Sequence, residues 1–175
     1  MSNAQEKRKE FIDFLLETAE NNSGLLSKLR KCTYPHYFEV GKYIYYYLPD
    51  NYDSWNNKCY LIVANLFALH PNHTAKCSFG ESLRPILDRY SEDGTSKRFL
   101  TFLSAKDIKN LTHHLKSLVK LASSCNAPLN WIDLLEGLCN WRSPNLWVQN
   151  KFSSNFWKQS ETETETETEN QSETN

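Results

Sequence analysis

The stretch from Asp107 to Ser123 limits the possible folds of this chain more than any other. Ile108, Leu111, Leu115, Leu118, Val119 and Ala122 recur at three- and four-residue steps, the spacing that gathers apolar side chains on one face of an α-helix. Lys106, Lys109, His113, Lys116 and Lys120 fall within an arc of about 80° nearly opposite, at 100° per residue. Acidic residues at four-residue spacing are missing from this stripe, so self-neutralising pairs do not explain it. A solvated lysine face is one reading of the stripe. The other is a track for phosphates, favoured here by basic clusters elsewhere in the chain.

The same period recurs along the chain. Gln5 to Glu20 predicts a helix with Phe11, Phe14 and Leu15 inward. Ser23 to Lys31 predicts a second, with Leu25, Leu26 and Leu29 inward and Lys28, Arg30 and Lys31 at its C-terminal end, where cations complement the helix dipole. Tyr34 to Leu48 is dense in aromatics and has no clean period; it is read as helix beside helical neighbours, although its β-propensity would suit a strand. Its tyrosines can stack on bases or pack as core with their hydroxyls at the surface. Ser54 to Leu69 is a strongly apolar helix whose only cation is Lys58.

Ser78 with Glu81 has the spacing of a capping box. It opens a helix with Leu83, Ile86 and Leu87 on one face and Arg84 and Arg89 on others. Asp93-Gly94 is read as a break and Ser96 as the cap of a further helix carrying Phe99, Phe102 and Leu103. That places Lys97 and Arg98 in a first turn, where each opposes the helix dipole by about 0.3–1 kcal/mol. A bound phosphate would offset this, using both the cations and the free N–H groups. Asn130 to Asn140 predicts a helix with Trp131, Leu134, Leu135 and Leu138 inside. Ser143-Pro144 is read as the start of the last one, with Leu146, Trp147, Phe152, Phe156 and Trp157 on its packing face.

These segments predict an all-α protein: a two-lobed helical bundle of about eight or nine helices. The expected divisions are an N-terminal lobe over 1–75, a C-terminal bundle over 76–158 and a disordered acidic tail over 159–175. The formal charge of −1 conceals an uneven distribution. The tail holds six of the 21 acids and no base, which leaves 20 basic against 15 acidic side chains, a net of +5, in the body. That balance is compatible with nucleic-acid contact. Five cysteines without a CxxC pair point to free thiols in a cytoplasmic protein. No apolar run approaches a membrane span of roughly 20 residues.

Catalytic motifs are missing: there is no Gly-rich phosphate loop, nucleophile elbow or paired-carboxylate motif. His70, His73 and Cys77 have ligand-like spacing, but no fourth ligand lies nearby and Pro71 interrupts the alignment. No catalytic residue, cofactor or metal is expected. The chain reads as a binding protein.

The order of features is similar to that of a known family. Leu29-Arg30-Lys31 is followed by an apolar helix ending at Ala68 to His70. Then come SFGESLRPIL, KRFLTFLSA, LTHHLKSLVKLA, PLNWIDLLEGLCNW and W-x-x-x-K-F at Trp147 to Phe152. This sequence resembles the small subunit of the type I-E CRISPR surveillance complex Cascade, the CasB family, from about Leu25 to Phe156. The resemblance implies an all-helical, non-catalytic protein. Its implied partners are the large and backbone subunits, a second copy of itself, the guide RNA, and the target and displaced DNA strands.

By position, the family's basic residues match Arg30, Lys31, Lys58, Lys97 and Arg98, and its arginine in H-L-R-x-L is Lys116. Glu81 stands where the family has a base, and the run of cations after Trp141 is thin, with Arg142, Lys151 and Lys158. The expected nucleic-acid-binding set is Arg30, Lys31, Lys58, Arg84, Lys97, Arg98, Lys109, Lys116, Lys120 and Arg142. The competing expectation is a helical protein–protein scaffold whose cations are incidental.

Overall fold

The structure, a computed structural model, describes residues 3–31, 38–49, 54–89 and 92–158. Among them are ten α-helices: α1 (Asn3–Asn21), α2 (Ser23–Lys31), α3 (Phe38–Ile44), α4 (Trp55–Leu69), α5 (Phe79–Ser82), α6 (Arg84–Arg89), α7 (Glu92–Leu103), α8 (Ile108–Ser124), α9 (Trp131–Cys139) and α10 (Trp147–Trp157). A 3-10 turn, Tyr45–Tyr47, follows α3, so the aromatic stretch is helical where it is described. Residues 34–37 of that stretch and the expected disordered tail at 159–175 lie outside the described residues. No strand occurs among the described residues; the only sheet-like pairing among them is an isolated bridge between His73 and Leu129. The fold is all-α.

Helix α4 is the spine. Every residue from Cys59 to Ala68 is buried, as expected of a helix apolar on all sides. It packs against α1, α2, α8 and α9, and one apolar cluster runs from Phe11 in α1 to Phe156 in α10. Ser54 caps its start by accepting from the Asn57 N–H at 3.1 Å. Asn65, buried in this apolar surface, donates to the Leu29 carbonyl at 2.8 Å and the Arg30 carbonyl at 3.1 Å. It therefore satisfies orphan carbonyls at the end of α2.

Three tryptophans tie distant segments by donating indole N–H bonds to backbone oxygens: Trp55 to Leu138 at 2.8 Å, Trp131 to Asn72 at 3.0 Å and Trp141 to Ala105 at 2.8 Å. A buried indole needs such a partner. His70 and His73, the metal-like pair of the sequence, hold backbone carbonyls instead, at Ala127 (2.7 Å) and Leu129 (3.2 Å).

Several sequence expectations are corrected. The segment opened by Ser78 has its capping box, with the Glu81 carboxylate accepting from the Ser78 N–H at 2.7 Å. It is nevertheless two helices, divided at Leu83. Pro85 has no N–H to give the Glu81 carbonyl, so the ladder breaks there. Asp93-Gly94 does not break the chain; both residues belong to α7, which already starts at Glu92. Ser96 lies inside α7 and caps no helix start, and its hydroxyl oxygen is buried without a hydrogen-bond partner among the described residues.

Ser143-Pro144 does not begin the last helix. Leu146 adopts a left-handed backbone (φ 52°) and α10 starts at Trp147. Its packing face is Val148, Phe152 and Phe156, while Leu146, Trp147 and Trp157 are exposed. The start of α5 lies close against α10. A Cβ on Gly80 would meet the Phe152 carbonyl and the Phe156 amide, so only glycine admits this approach.

Candidate nucleic-acid interface

The fold distributes the ten predicted cations among several places. The richest is the hairpin of α7 and α8. Four residues, Ser104 to Asp107, join the two helices, and a connection this short returns the chain antiparallel. Phe99 and Phe102 of α7 and Leu111, Leu115, Leu118, Val119 and Ala122 of α8 are buried. The outer surface of the hairpin therefore carries the polar residues. Lys97, Arg98, Lys109 and Lys120 are exposed and Lys116 is half-buried.

At about 1.5 Å per residue, Lys97 and His113 both lie roughly 8–9 Å along their helices from the connection. The pair on α7 is thus level with the middle of the α8 stripe. Lys97 and Arg98 are not at a helix start, as their sequence context suggests. With α7 beginning at Glu92, they sit in its second turn, and the anion-binding N–H groups argued for them are not there.

Arg30 and Lys31 end α2 and are exposed. The Arg30 Nε donates to the Ala68 carbonyl, one of the unsatisfied acceptors at the end of α4. The end of α8 meets the same corner, where Asn72 donates to the Asn126 carbonyl at 3.1 Å. The C-terminal ends of α2, α4 and α8 converge, and their partial negative charge favours cations there.

Lys58 lies in the first turn of α4, about 15 Å along that helix from Ala68 at 1.5 Å per residue. Arg142 belongs to Lys58's end of the molecule, since its guanidinium stacks on the Trp55 ring 3.9 Å from the centroid. Two further cations at this end are absent from the predicted set. Lys7 and Arg8 line a 360 Å³ groove with Asn56 and Tyr60, and Arg8 is paired with Glu136 at 3.9 Å. The basic run Lys7-Arg8-Lys9 was the available signal.

Arg84 stands apart. Its guanidinium donates to the carbonyls of Asn155 at 2.7 Å and Phe156 at 3.4 Å, closing the C-terminal end of α10. Lys151 is paired with Asp133, which also accepts from the Phe79 N–H at 2.8 Å. These two ion pairs, Arg8–Glu136 and Lys151–Asp133, leave Lys97, Arg98, Lys109, Lys116 and Lys120 of the α7–α8 hairpin out.

Carboxylates near the site are tied to the backbone. The Ser78 N–H and hydroxyl hold Glu81 below its usual pKa. The Asn110 N–H does the same for Asp107 at the start of α8. Among the described residues no group of three or more His, Cys, Asp or Glu could hold a metal. None of the described helices is long and apolar enough to cross a membrane.

Comparison with solved structures finds the same fold at low identity. A Cse2-family CRISPR-associated protein from Thermus thermophilus is similar at a TM-score of 0.74 and 21% identity, covering 90% of this chain and 99% of that one. CasB from Thermobifida fusca is similar at 0.72 and 17%, covering 89% and 98%. A chain of a CRISPR RNA-guided surveillance complex is similar at 0.76 and 16%, covering 94% and 99%. No curated protein sequence matches. Residues 25–159 match the family model of CRISPR-associated protein Cse2, and the chain belongs to that family.

Proposed function

We propose that this chain is a non-catalytic subunit of a type I-E CRISPR Cascade complex in the cytoplasm. It would stabilise the R-loop, the target strand paired to guide RNA with the other strand displaced, by sequence-independent contacts to nucleic-acid backbone. The observation that carries this reading is the α7–α8 hairpin. Lys97, Arg98, Lys109 and Lys120 are exposed on its outer surface, and the described ion pairs involve none of them.

Replacing a DNA duplex with a guide–target heteroduplex is a near-balanced exchange, so modest backbone contacts can tip it. Phosphate contacts of this kind position a strand without reading bases. The reading is tested by reversing charge at Lys97, Arg98 or Arg30 in the reconstituted complex and timing R-loop dissociation. Shorter lifetimes with assembly intact are expected. Normal lifetimes would remove those side chains from the interface.

A second reading, a protein–protein scaffold, draws on a different feature. Leu103, Ala105, Trp141, Pro144 and Leu146 line a largely apolar groove of 460 Å³ that would suit a neighbouring subunit. On that reading alone, the protein would assemble into the complex yet show no salt-dependent affinity for DNA.

A further inference from the structure

The largely apolar groove of 460 Å³ lies where α7 connects to α8. One wall is that connection, with Leu103, Ala105 and Lys106; the other is the segment after α9, with Trp141, Arg142 and Leu146. The walls are tied together, since the Trp141 indole N–H donates to the Ala105 carbonyl at 2.8 Å. Each wall carries one cation. Arg142 is steadied by stacking on the Trp55 ring, 3.9 Å from its centroid. Lys106 is exposed, and Lys109, also exposed, follows about one helical turn, roughly 5 Å, further on. The groove therefore continues the lysine stripe of α8. Neither Lys106 nor Arg142 takes part in the ion pairs seen among the described residues. Asp107, beside Lys106 in the chain, is engaged elsewhere: it accepts from the Asn110 N–H at 2.9 Å and from the Asn110 side-chain amide at 2.6 Å.

Two residues of the groove are held in costly states. Leu146 has a left-handed backbone, φ 52°, which a leucine adopts only against steric resistance, and its side chain is 55% exposed. Strain of this kind gathers at sites that clamp ligands. Gln149 donates its Nε2 to the Trp141 carbonyl at 2.9 Å, while its Oε1 is buried with no hydrogen-bond partner among the described residues. An acceptor left in that state costs stability until a donor reaches it. A fitting ligand thus has an apolar body, an N–H donor and negative charge on both sides. One nucleotide unit of a single strand has all three. Every base has an N–H on its Watson–Crick edge, and apolar walls suit its faces. The volume also lies in the range of small-ligand sites, about 300–1,000 Å³, more than one aliphatic anchor from a protein would fill.

We propose that this groove receives one unstacked base of a single strand whose phosphates follow the α7–α8 hairpin, with Lys106 and Arg142 meeting the phosphates on either side of that base. The proposal rests on the nucleic-acid reading above and adds to it a contact with a base. Because all four bases supply an N–H and an apolar face, the contact holds a strand without selecting its sequence. A duplex keeps its bases stacked and paired, so the groove favours single strands over duplex.

The test measures binding of the full chain to two labelled single strands of equal length at one salt concentration, an oligothymidylate and a strand of abasic sites with the same phosphates. Fluorescence anisotropy is expected to show about five- to tenfold tighter binding of the strand with bases. Leu146→Asn, which tolerates the left-handed backbone and adds no charge, is expected to bind both strands at the abasic level with an unchanged salt slope. A strand carrying a photoreactive iodouracil is expected to crosslink between Trp141 and Gln149. Equal, measurable affinity of the wild type for both strands overturns the base contact and leaves the phosphate reading standing. A preference that survives Leu146→Asn, or crosslinks only to other segments, places the base elsewhere and overturns the proposal. Loss of complex assembly in Leu146→Asn with the preference intact gives the groove to a neighbouring subunit and overturns it as well. No binding of either strand by the wild type overturns the nucleic-acid reading, and the proposal with it.

Discussion

Helix α4 is buried at every residue from Cys59 to Ala68, whereas α8 buries a single stripe and leaves Lys109 and Lys120 in solvent. The helices are of similar length, fifteen and seventeen residues. They differ in where their polar groups go. On α4 a polar side chain turns inward and serves another element, as Asn65 does for the end of α2. On α8 the lysines turn outward, away from the elements packed on its apolar stripe. A helix buried on all sides organises the fold, and a helix with one solvent face is free to bind. The cations that matter for function are expected on the second kind.

The largest effect that would test this contrast lies on α4. Phe67 is fully buried and meets Trp131 edge-on with centroids 5.6 Å apart. Phe67→Ala is expected to cost about 3–5 kcal/mol in a denaturant titration. A cost below about 1 kcal/mol would mean that α4 is not the spine. Next comes Asn65→Ala, which leaves the Leu29 and Arg30 carbonyls without their donor. An expected loss of about 1–3 kcal/mol, with faster amide exchange at the end of α2, would link core polarity to the placement of Arg30.

Paired Lys109→Glu and Lys120→Glu on α8 should behave oppositely. Thermal stability should move by no more than about 0.5 kcal/mol. The slope of log affinity for single-stranded DNA against log salt should fall by about 0.7 for each phosphate that is no longer neutralised. Unfolding of this variant, or an unchanged slope, would erase the distinction between the two helices.

The smallest effect separates their starts. Ser54 caps α4 with a hydroxyl that does not titrate, and Asp107 caps α8 with a carboxylate held below its usual pKa by the Asn110 N–H. A depressed folded pKa adds stability that is complete above the unfolded value, near 3.9, and is lost as pH falls through the folded one. The melting-temperature gap between wild type and Asp107→Asn should therefore be present at neutral pH and close on acidification below that value. The gap for Ser54→Ala should lack this component.

Much of the architecture was readable because burial follows period. The stripes of α2 and α8 appear in the residue spacing, the Ser78 cap was marked by its capping box, and the segment starts read at Ser54, Asp107 and Asn130 coincide with caps. The misreadings fall where a local signal lost to packing. Asp93-Gly94 looks like a turn, and a glycine inside a helix costs about 1 kcal/mol. The burial of Thr95, Phe99 and Phe102 outweighs that and keeps α7 continuous. Pro144 suits a first helical turn, but α10 starts three residues later, where Val148 can reach the core. Arg84 was read as a surface cation because nothing in its neighbours announces a bond to a carbonyl more than seventy positions away.

Residue order alone determined that this chain is helical, which faces of those helices are apolar, and that its positive charge is separated from an acidic end. Those properties are local: they depend on periods of three and four and on the charge of individual side chains. Only the tertiary structure decided which cations share a surface, which are engaged by helix ends, and that Arg84 at the start of α6 closes the end of α10. Such neighbours are brought together by burying a common core, and a periodic pattern carries no information about which distant stripe will share it.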